Sequence, residues 1–147
     1  DSYFRFEVLK PDPSKLKKLE EPDQVVKLNK EEEEILKKAF DNLEFETGKD
    51  IIRSESYQSL NELATLMKKK PTWKLKISGH TDNVGKPAAN MELSKKRANA
   101  VKKYLAAQGI TDDRFIVKWY GQTQPLVPNT SPANKQKNRR VEMLIVE

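Results

Sequence analysis

The chain has 147 residues, 36% of them hydrophobic and 34% charged, which is polar for a globular protein but leaves enough apolar residues for one modest core. The absence of cysteine excludes a disulfide scaffold, a thiolate metal site and a cysteine nucleophile, and a single histidine, His80, argues against a structural zinc site or a histidine-based triad. The net charge of +6 is uneven, because residues 1–40 carry nine Lys/Arg and ten Asp/Glu whereas residues 41–147 carry nineteen and twelve.

Residues 1–28 are predicted to be a linker or the end of an upstream domain. The alternation in Tyr3–Val8 is typical of a short strand, yet no partner strand follows nearby. Pro11, Pro13 and Pro22 then interrupt a Lys/Glu-rich stretch, a composition typical of linkers. No segment of the chain approaches the roughly 20 apolar residues of a membrane helix.

A helix is predicted to begin after Asn29, which is a good N-cap residue. The acidic run Glu31–Glu34 suits the positive end of the helix dipole, and a solvated first turn explains it better than a metal site. The partly alternating segment Leu43–Thr47 then predicts a strand, closed by Gly48.

A second helix, capped by Ser54 or Ser56, is predicted to continue to Lys69. Strand-like alternation follows at 73–77, and a loop bracketed by glycines follows that strand.

A long helix is predicted from about Ala88 to Gln108, with Gly109 as its C′ residue. Strands are predicted at 115–120 and 141–146, on either side of a long proline-containing loop. The order β-α-β-α-β-loop-β predicts an α+β fold, with a mixed sheet and helices packed mainly on one face.

Arg97 is the most unusual residue, because it interrupts an otherwise apolar helical row between Leu93 and Val101. A guanidinium on a core-facing row must be paired or must bind an anion, since burying it alone is costly. Asp82 lies in the loop shortly before this helix and is expected near the same edge of the sheet. Spacing alone favours an internal Asp82–Arg97 salt bridge over a ligand site.

Other polar residues have ordinary structural interpretations. Asn90 is expected to be a helix N-cap rather than a ligand amide, and Ser94 a packed small residue, because no base lies near to activate it. His80 is expected to be structural. Alternation sends Arg139 and Arg140 to opposite faces of the last strand, so that one of them can reach a site.

The net charge of +7 over residues 41–147 predicts a polyanionic partner. Nucleic acid, an anionic membrane surface and a carboxylate-rich polymer such as a cell wall all fit this charge. Composition does not choose among them. The lysines of the long helix lie away from its apolar row and are expected to form a solvated face.

Four sequence blocks occur together in order: Gly79-His80-Thr81-Asp82-Asn83-x-Gly85, Asn90-x-x-Leu93-Ser94-x-x-Arg97-Ala98-x-x-Val101, Tyr120-Gly121-x-x-x-Pro125 and Asn138-Arg139-Arg140-Val141-Glu142. In these blocks the chain resembles the OmpA-like peptidoglycan-binding domain of porin-like outer-membrane proteins, peptidoglycan-associated lipoproteins and flagellar stator proteins. The resemblance covers roughly residues 40–147, and the domain is expected to occupy residues 29–147.

The resemblance implies a βαβαβ-type two-layer fold with a mixed sheet. It implies non-covalent binding of peptidoglycan through the diaminopimelate of the peptide stem, which anchors an outer-membrane or periplasmic protein to the cell wall. It implies a protein that is not an enzyme and needs no cofactor. It also implies a periplasmic location associated with the outer membrane. Peptidoglycan, and not nucleic acid, is the implied partner.

The resemblance also implies the site residues. The principal pair is Asp82 and Arg97, and the further contacts are Thr81, Asn90, Arg139, Thr47 and Gly48. The far end of diaminopimelate carries an ammonium and a carboxylate on one carbon, so Asp82 suits the first and Arg97 the second. An L-lysine stem lacks that carboxylate and would leave Arg97 unpaired.

Two alternatives remain from the sequence. A basic nucleic-acid-binding module would bind through its lysines, with a steep dependence on salt. A protein-interaction module would fold in the same way without affinity for the wall.

Overall fold

The computed structural model describes residues 24–147. The predicted strand Tyr3–Val8 and the three prolines of the predicted linker lie outside the described residues. The elements are α1 (Lys30–Asn42), α2 (Tyr57–Lys69), β1 (Lys74–His80), α3 (Pro87–Ala107), β2 (Phe115–Gly121), α4 (Pro132–Asn138) and β3 (Arg140–Val146). Short 3₁₀ turns at Ser54–Ser56 and Asp112–Arg114 precede α2 and β2.

The three strands form one mixed sheet in the order β2-β1-β3. The central strand β1 pairs in parallel with β2 and antiparallel with β3, and α3 forms the crossover between the parallel pair. Alternation along β1 buries Leu75 and Ile77 completely, while Lys74 and Lys76 are only partly buried. The sheet therefore has one apolar face and one more polar face.

The helices cover the apolar face of the sheet. α3 lies against β1 and β2, and α1 packs against α2 and β3. The core joins residues of all these elements, including Ala39, Leu60, Leu63, Met67, Leu75, Ile77, Val101, Leu105 and Ile145. The predicted α+β class, with a mixed sheet and helices mainly on one face, is confirmed.

Two predicted helix ends are confirmed in detail. Asn29 forms a capping box, in which its side chain accepts from the Glu32 N–H at 2.8 Å while the Glu32 carboxylate accepts from the Asn29 N–H at 3.0 Å. Gly109 follows the last residues of α3 with a φ of +103°, the left-handed conformation typical of a C′ glycine.

The predicted strand at Leu43–Thr47 is wrong. Phe45 makes an isolated bridge to Ile52 and does not join the sheet. Gly48 turns the chain with a φ of +70°, so this segment pairs with the residues just after it. The result is a short hairpin, called here the 44–53 loop, closed by a hydrogen bond from the Arg53 N–H to the Glu44 carbonyl.

Ser56 occupies the predicted N-cap position of α2, but its side chain makes no capping hydrogen bond to the helix. Its hydroxyl accepts from the Glu44 N–H at 2.8 Å and donates to the Asn42 carbonyl at 2.9 Å. Its side chain is fully buried. Ser56 therefore fixes the start of the 44–53 loop to the start of α2.

Residues 24–28 run beside β3. Val25 bridges Val146 in antiparallel fashion, and the Val26 N–H donates to the Ile145 carbonyl at 3.0 Å. Contacts with the domain thus begin before residue 29, while the division of the chain at residue 28 stays a prediction. No helix within residues 24–147 is both long enough and apolar enough to cross a membrane.

Candidate functional site

A cleft of about 800 Å³ opens between the 44–53 loop, α3 and the start of β3. Its walls include five basic side chains: Arg53, Arg97, Lys137, Arg139 and Arg140. Thr47 and Gly48 line it from the tip of the 44–53 loop. Four of the predicted site residues, Arg97, Arg139, Thr47 and Gly48, are thus brought together around one space.

Arg97 is held in the wall of this cleft by two contacts to the 44–53 loop. Its Nε donates to the Lys49 carbonyl at 2.9 Å, and its Cζ lies 5.1 Å from the centroid of the Phe45 ring. The residue is only 9% exposed. Its two terminal nitrogens nevertheless have no hydrogen-bond partner within residues 24–147, and neither is fully buried. The free side of the guanidinium is therefore available to a ligand.

The electrostatic environment of Arg97 favours an anion. Burial lowers the pKa of Arg97 below its ordinary value, and the nearby charge of Arg139 lowers it further, against smaller opposing effects of Asp50 and Asp82. An arginine stays charged at neutral pH despite such a shift. A carboxylate bound here would relieve both the burial of the cation and its repulsion by Arg139.

Asp82, the other principal predicted site residue, is 6% exposed and is not among the residues that line the cleft. Its Oδ2 forms a 2.5 Å ion pair with Arg139, and its Oδ1 accepts from the Val84 N–H at 3.0 Å. The described residues contain no ion pair between Asp82 and Arg97, so the salt bridge favoured by spacing alone is wrong. Asp82 instead pairs with Arg139, which lies between α4 and β3. The two residues are 57 positions apart, so local spacing does not reveal the pair.

Thr81 and Asn90 support the backbone around Asp82. The Thr81 hydroxyl donates to the Asp82 carbonyl at 2.8 Å. Asn90 lies inside α3, whose N-cap is Lys86, so the expectation that Asn90 caps the helix is wrong. Its amide donates to the carbonyls of Asp82 and Val84 and to the Gln122 side chain. Both residues are buried and neither lines the cleft.

Ser94 and Gly79 set the distance between α3 and the sheet. Ser94 is fully buried, and its hydroxyl donates to the Met91 carbonyl and accepts from the Gly121 N–H, which confirms a packed small residue. A Cβ at Gly79 would lie 2.2 Å from the Ser94 carbonyl oxygen. The close approach of α3 to β1 places Arg97 beside the 44–53 loop.

His80, Arg140 and Glu142 form a second cluster of charged and titratable groups. Arg140 pairs with Glu142 at 2.6 Å, whereas Arg139, which precedes β3, pairs with Asp82. Both arginines line the cleft, so the prediction that only one of them reaches a site is wrong. His80 is 3% exposed and stacks on Tyr120, and neither of its ring nitrogens has a hydrogen-bond partner in the described part of the chain. Burial lowers the pKa of His80, and Arg140 lowers it further, while Glu142 acts in the opposite direction.

Sequence reasoning missed the part of the 44–53 loop that holds the arginines. Phe45 and the Lys49 carbonyl fix Arg97, and Arg53 completes the cationic wall. The one signal for this arrangement was Gly48, whose positive φ turns the segment into a hairpin. No group of three metal-ligating side chains occurs among residues 24–147.

A model of the OmpA family matches residues 44–139, more than half of the chain. The chain is 34% identical over 101 residues to outer membrane porin F of Pseudomonas fluorescens, and the matched segment makes up 69% of this chain and 31% of the porin. It is 37% identical over 89 residues to the peptidoglycan-binding protein ArfA of Mycobacterium bovis, and that segment makes up 60% of this chain and 27% of ArfA.

Two solved structures share the fold. The C-terminal domain of Helicobacter pylori MotB matches with a TM-score of 0.64 and 30% identity, over 70% of this chain and 81% of that domain. The peptidoglycan-associated lipoprotein of Burkholderia pseudomallei matches with a TM-score of 0.66 and 25% identity, over 70% of this chain and 87% of the lipoprotein. The chain therefore belongs to the OmpA family. It spans less than a third of the length of the porin and of ArfA.

Proposed function

We propose that this domain binds peptidoglycan non-covalently, through the diaminopimelate of the peptide stem, and so anchors an envelope protein to the cell wall. The observation that carries the proposal is Arg97, a nearly buried cation whose terminal nitrogens have no partner within residues 24–147 and whose side chain lines an open cleft. Such a guanidinium is suited to a bidentate clamp on a carboxylate.

The zwitterionic end of diaminopimelate carries one charge of each sign, which is complementary to the cation of Arg97 and the anion of Asp82. Its carboxylate would bind the free side of Arg97. Its ammonium would bind Asp82 and share that carboxylate with Arg139. An L-lysine stem has the ammonium but not the carboxylate, so it would leave Arg97 buried without a partner.

The relatives support the same function. ArfA is described as a peptidoglycan-binding protein and the Burkholderia protein as a peptidoglycan-associated lipoprotein. By analogy with these relatives and with porin F, we place the domain in the periplasm, in association with the outer membrane. Affinity for one stem is expected to be modest, and several anchors on one polymer would raise the avidity.

We also propose that the domain binds the wall without cleaving it. The hydroxyl of Ser94 donates to the Met91 carbonyl and accepts from the Gly121 N–H, where α3 packs on the sheet. These contacts give Ser94 a structural role and not that of a nucleophile. His80 is buried against Tyr120 and does not line the cleft. The function therefore needs no cofactor, only the charges and shape of the cleft.

Co-sedimentation with insoluble peptidoglycan tests the proposal. The purified domain should sediment with diaminopimelate-type wall and not with lysine-type wall. Arg97→Gln should lose this binding, whereas Lys96→Gln, which removes a charge from the exposed side of α3, should retain it. Equal sedimentation with both wall types, or binding by Arg97→Gln that matches the wild type, would contradict the proposal.

A further inference from the structure

The 44–53 loop holds two arginines in the same manner. The Nε of Arg97 donates to the Lys49 carbonyl at 2.9 Å, and the Nε of Arg53 donates to the Phe45 carbonyl at 3.2 Å. Each guanidinium is thus anchored at its inner nitrogen by a backbone oxygen of the same short hairpin. Both side chains line the same cleft.

Phe45 links the two guanidinium groups directly. Its carbonyl holds Arg53, and its ring lies under Arg97, with 5.1 Å between the ring centroid and Cζ. Both arginines therefore contact the same residue of the 44–53 loop. Because both also line the cleft, a ligand that fills the cleft can contact both.

Most other charges of the cleft are already paired. Arg139 is bound to Asp82, Arg140 to Glu142 and Asp41 to Lys37.

By contrast, the terminal nitrogens of Arg53 have no hydrogen-bond or ion-pair partner in the described part of the chain. Glu44 also lines the cleft but forms no ion pair with Arg53. Lys137 also lines the cleft and has no ion-pair partner within residues 24–147. Of these two exposed cations, only Arg53 is held in place by a backbone carbonyl, so Arg53 is the better second anion site once Arg97 has taken one carboxylate.

We propose that Arg53 binds a second carboxylate of the same stem peptide and makes the domain selective for stems in which that carboxylate is free. This inference rests on the proposed function. Two carboxylates of the stem have the required chemistry: the α-carboxylate of the D-glutamyl residue, and the carboxylate at the other end of diaminopimelate. Converting the relevant one to an amide removes the charge and one acceptor, so Arg53 would lose its bidentate partner.

Calorimetry with four synthetic tripeptides tests this inference. The parent is L-alanyl-γ-D-glutamyl-meso-diaminopimelate. Two peptides are each amidated at a different one of these two carboxylates, and the fourth is amidated at both, so that its only free carboxylate is the one at the zwitterionic end. The wild type should bind the parent about tenfold more tightly than the doubly amidated peptide, as expected for one charge-assisted pair. The singly amidated peptide that loses this affinity identifies the carboxylate.

Arg53→Gln should bind the parent about tenfold more weakly than the wild type does. It should bind the doubly amidated peptide as tightly as the wild type binds that peptide. Arg53→Lys should keep only part of the preference, because an ammonium cannot form the bidentate pair. Lys103→Gln removes one charge from a different surface groove and serves as the control for net charge. Circular dichroism and a thermal melt of each variant establish that it is folded.

The outcomes separate this inference from the proposed function. If the wild type binds all four peptides equally, or if Arg53→Gln weakens all of them by the same factor, the role of Arg53 is wrong while stem binding stands. If Lys103→Gln reproduces the effect of Arg53→Gln, net charge explains the preference and the inference is again wrong. If the folded wild type binds none of the peptides, the proposed function and this inference both fail.

Discussion

Arg97 combines burial, charge and free hydrogen-bond donors in a way that few residues of a small domain do. The Lys49 carbonyl and the Phe45 ring fix its position, and its terminal nitrogens remain available within the described structure. Its role should therefore depend on the shape of the guanidinium as well as on its charge.

Arg97→Lys tests this dependence on shape. We expect the variant to stay folded but to bind diaminopimelate at least about tenfold more weakly, because a lysine cannot form the bidentate clamp. Binding by NMR titration gives the comparison. Wild-type affinity in Arg97→Lys would mean that a point charge suffices and that the clamp is not the basis of recognition.

His80 should make the stability of the domain depend on pH. Its pKa is lowered in the fold by burial and by Arg140, with Glu142 opposing and the uncharged Tyr120 stacked on the ring. The unfolded chain therefore binds the proton more readily, and the free energy of unfolding should fall as the pH drops below about 6.5.

His80→Phe keeps an aromatic ring against Tyr120 and removes the titrating group. The free energy of unfolding in urea is measured at about pH 7.5 and about pH 5.5, on either side of the ordinary histidine pKa. Its decrease between these two pH values should be smaller in the variant than in the wild type. An equal loss in both proteins would assign the pH dependence to other groups.

At the scale of elements, the packing of α3 on β1 depends on Gly79. An added Cβ would lie 2.2 Å from the Ser94 carbonyl oxygen, a backbone atom that cannot move without moving α3. We expect Gly79→Ala to reduce the free energy of unfolding by about 3 kcal/mol. Chemical denaturation measures the effect, with Ser78→Ala as the neighbouring control. Nearly equal stability of the two variants would show that the helix shifts at little cost.

The start of α1 depends on the Asn29 capping box. Asn29→Ala should lower the free energy of unfolding by about 1 kcal/mol, because the Glu32 N–H loses its acceptor. Lys38→Ala, on an exposed part of the same helix, is the matched control. The same denaturation midpoint for both variants would contradict a stabilising cap.

The elements differ in how well the sequence alone predicts them. Helix α3, predicted from about Ala88 to Gln108, spans Pro87–Ala107 and is followed by Gly109, so local physics decides it. Strand β1, predicted at 73–77, spans Lys74–His80, because Gly79 and His80, predicted to lie in the loop, pair with both neighbouring strands. Segment 43–47 has an equally strand-like pattern but lies outside the sheet. Its pairing was decided by the turn at Gly48 and by the neighbouring residues, which a pattern of apolar positions does not encode.

The site shows the same limit. Arg97 was recognisable because a charge on an apolar helical row demands a partner. The partner of Asp82, by contrast, is Arg139, and the anchor of Arg97 is the Lys49 carbonyl. Both contacts join residues far apart in sequence, so only the assembled fold reveals them.

For the whole molecule, binding through net charge and binding in the cleft are expected to differ in their dependence on salt. The +7 of residues 41–147 would attract any polyanion from solution, with an affinity that falls steeply with salt. The clamp at Arg97 is nearly buried and should be screened much less. Raising the salt from about 50 to about 200 mM should weaken binding to diaminopimelate-type wall less than about threefold. A loss of about a hundredfold or more would favour a general polyanion-binding surface.

The central claim is that Arg97 recognises the zwitterionic end of diaminopimelate. Its most direct test is calorimetric titration of the folded domain with L-alanyl-γ-D-glutamyl-meso-diaminopimelate. The matched ligand is L-alanyl-γ-D-glutamyl-L-lysine, whose side chain ends in an ammonium without a carboxylate, and Arg97→Gln is the variant. We predict saturable binding of the diaminopimelate peptide by the wild type, no binding of the lysine peptide, and no binding of either peptide by Arg97→Gln. A folded wild type that does not bind the diaminopimelate peptide, or that binds the lysine peptide equally well, would contradict the claim.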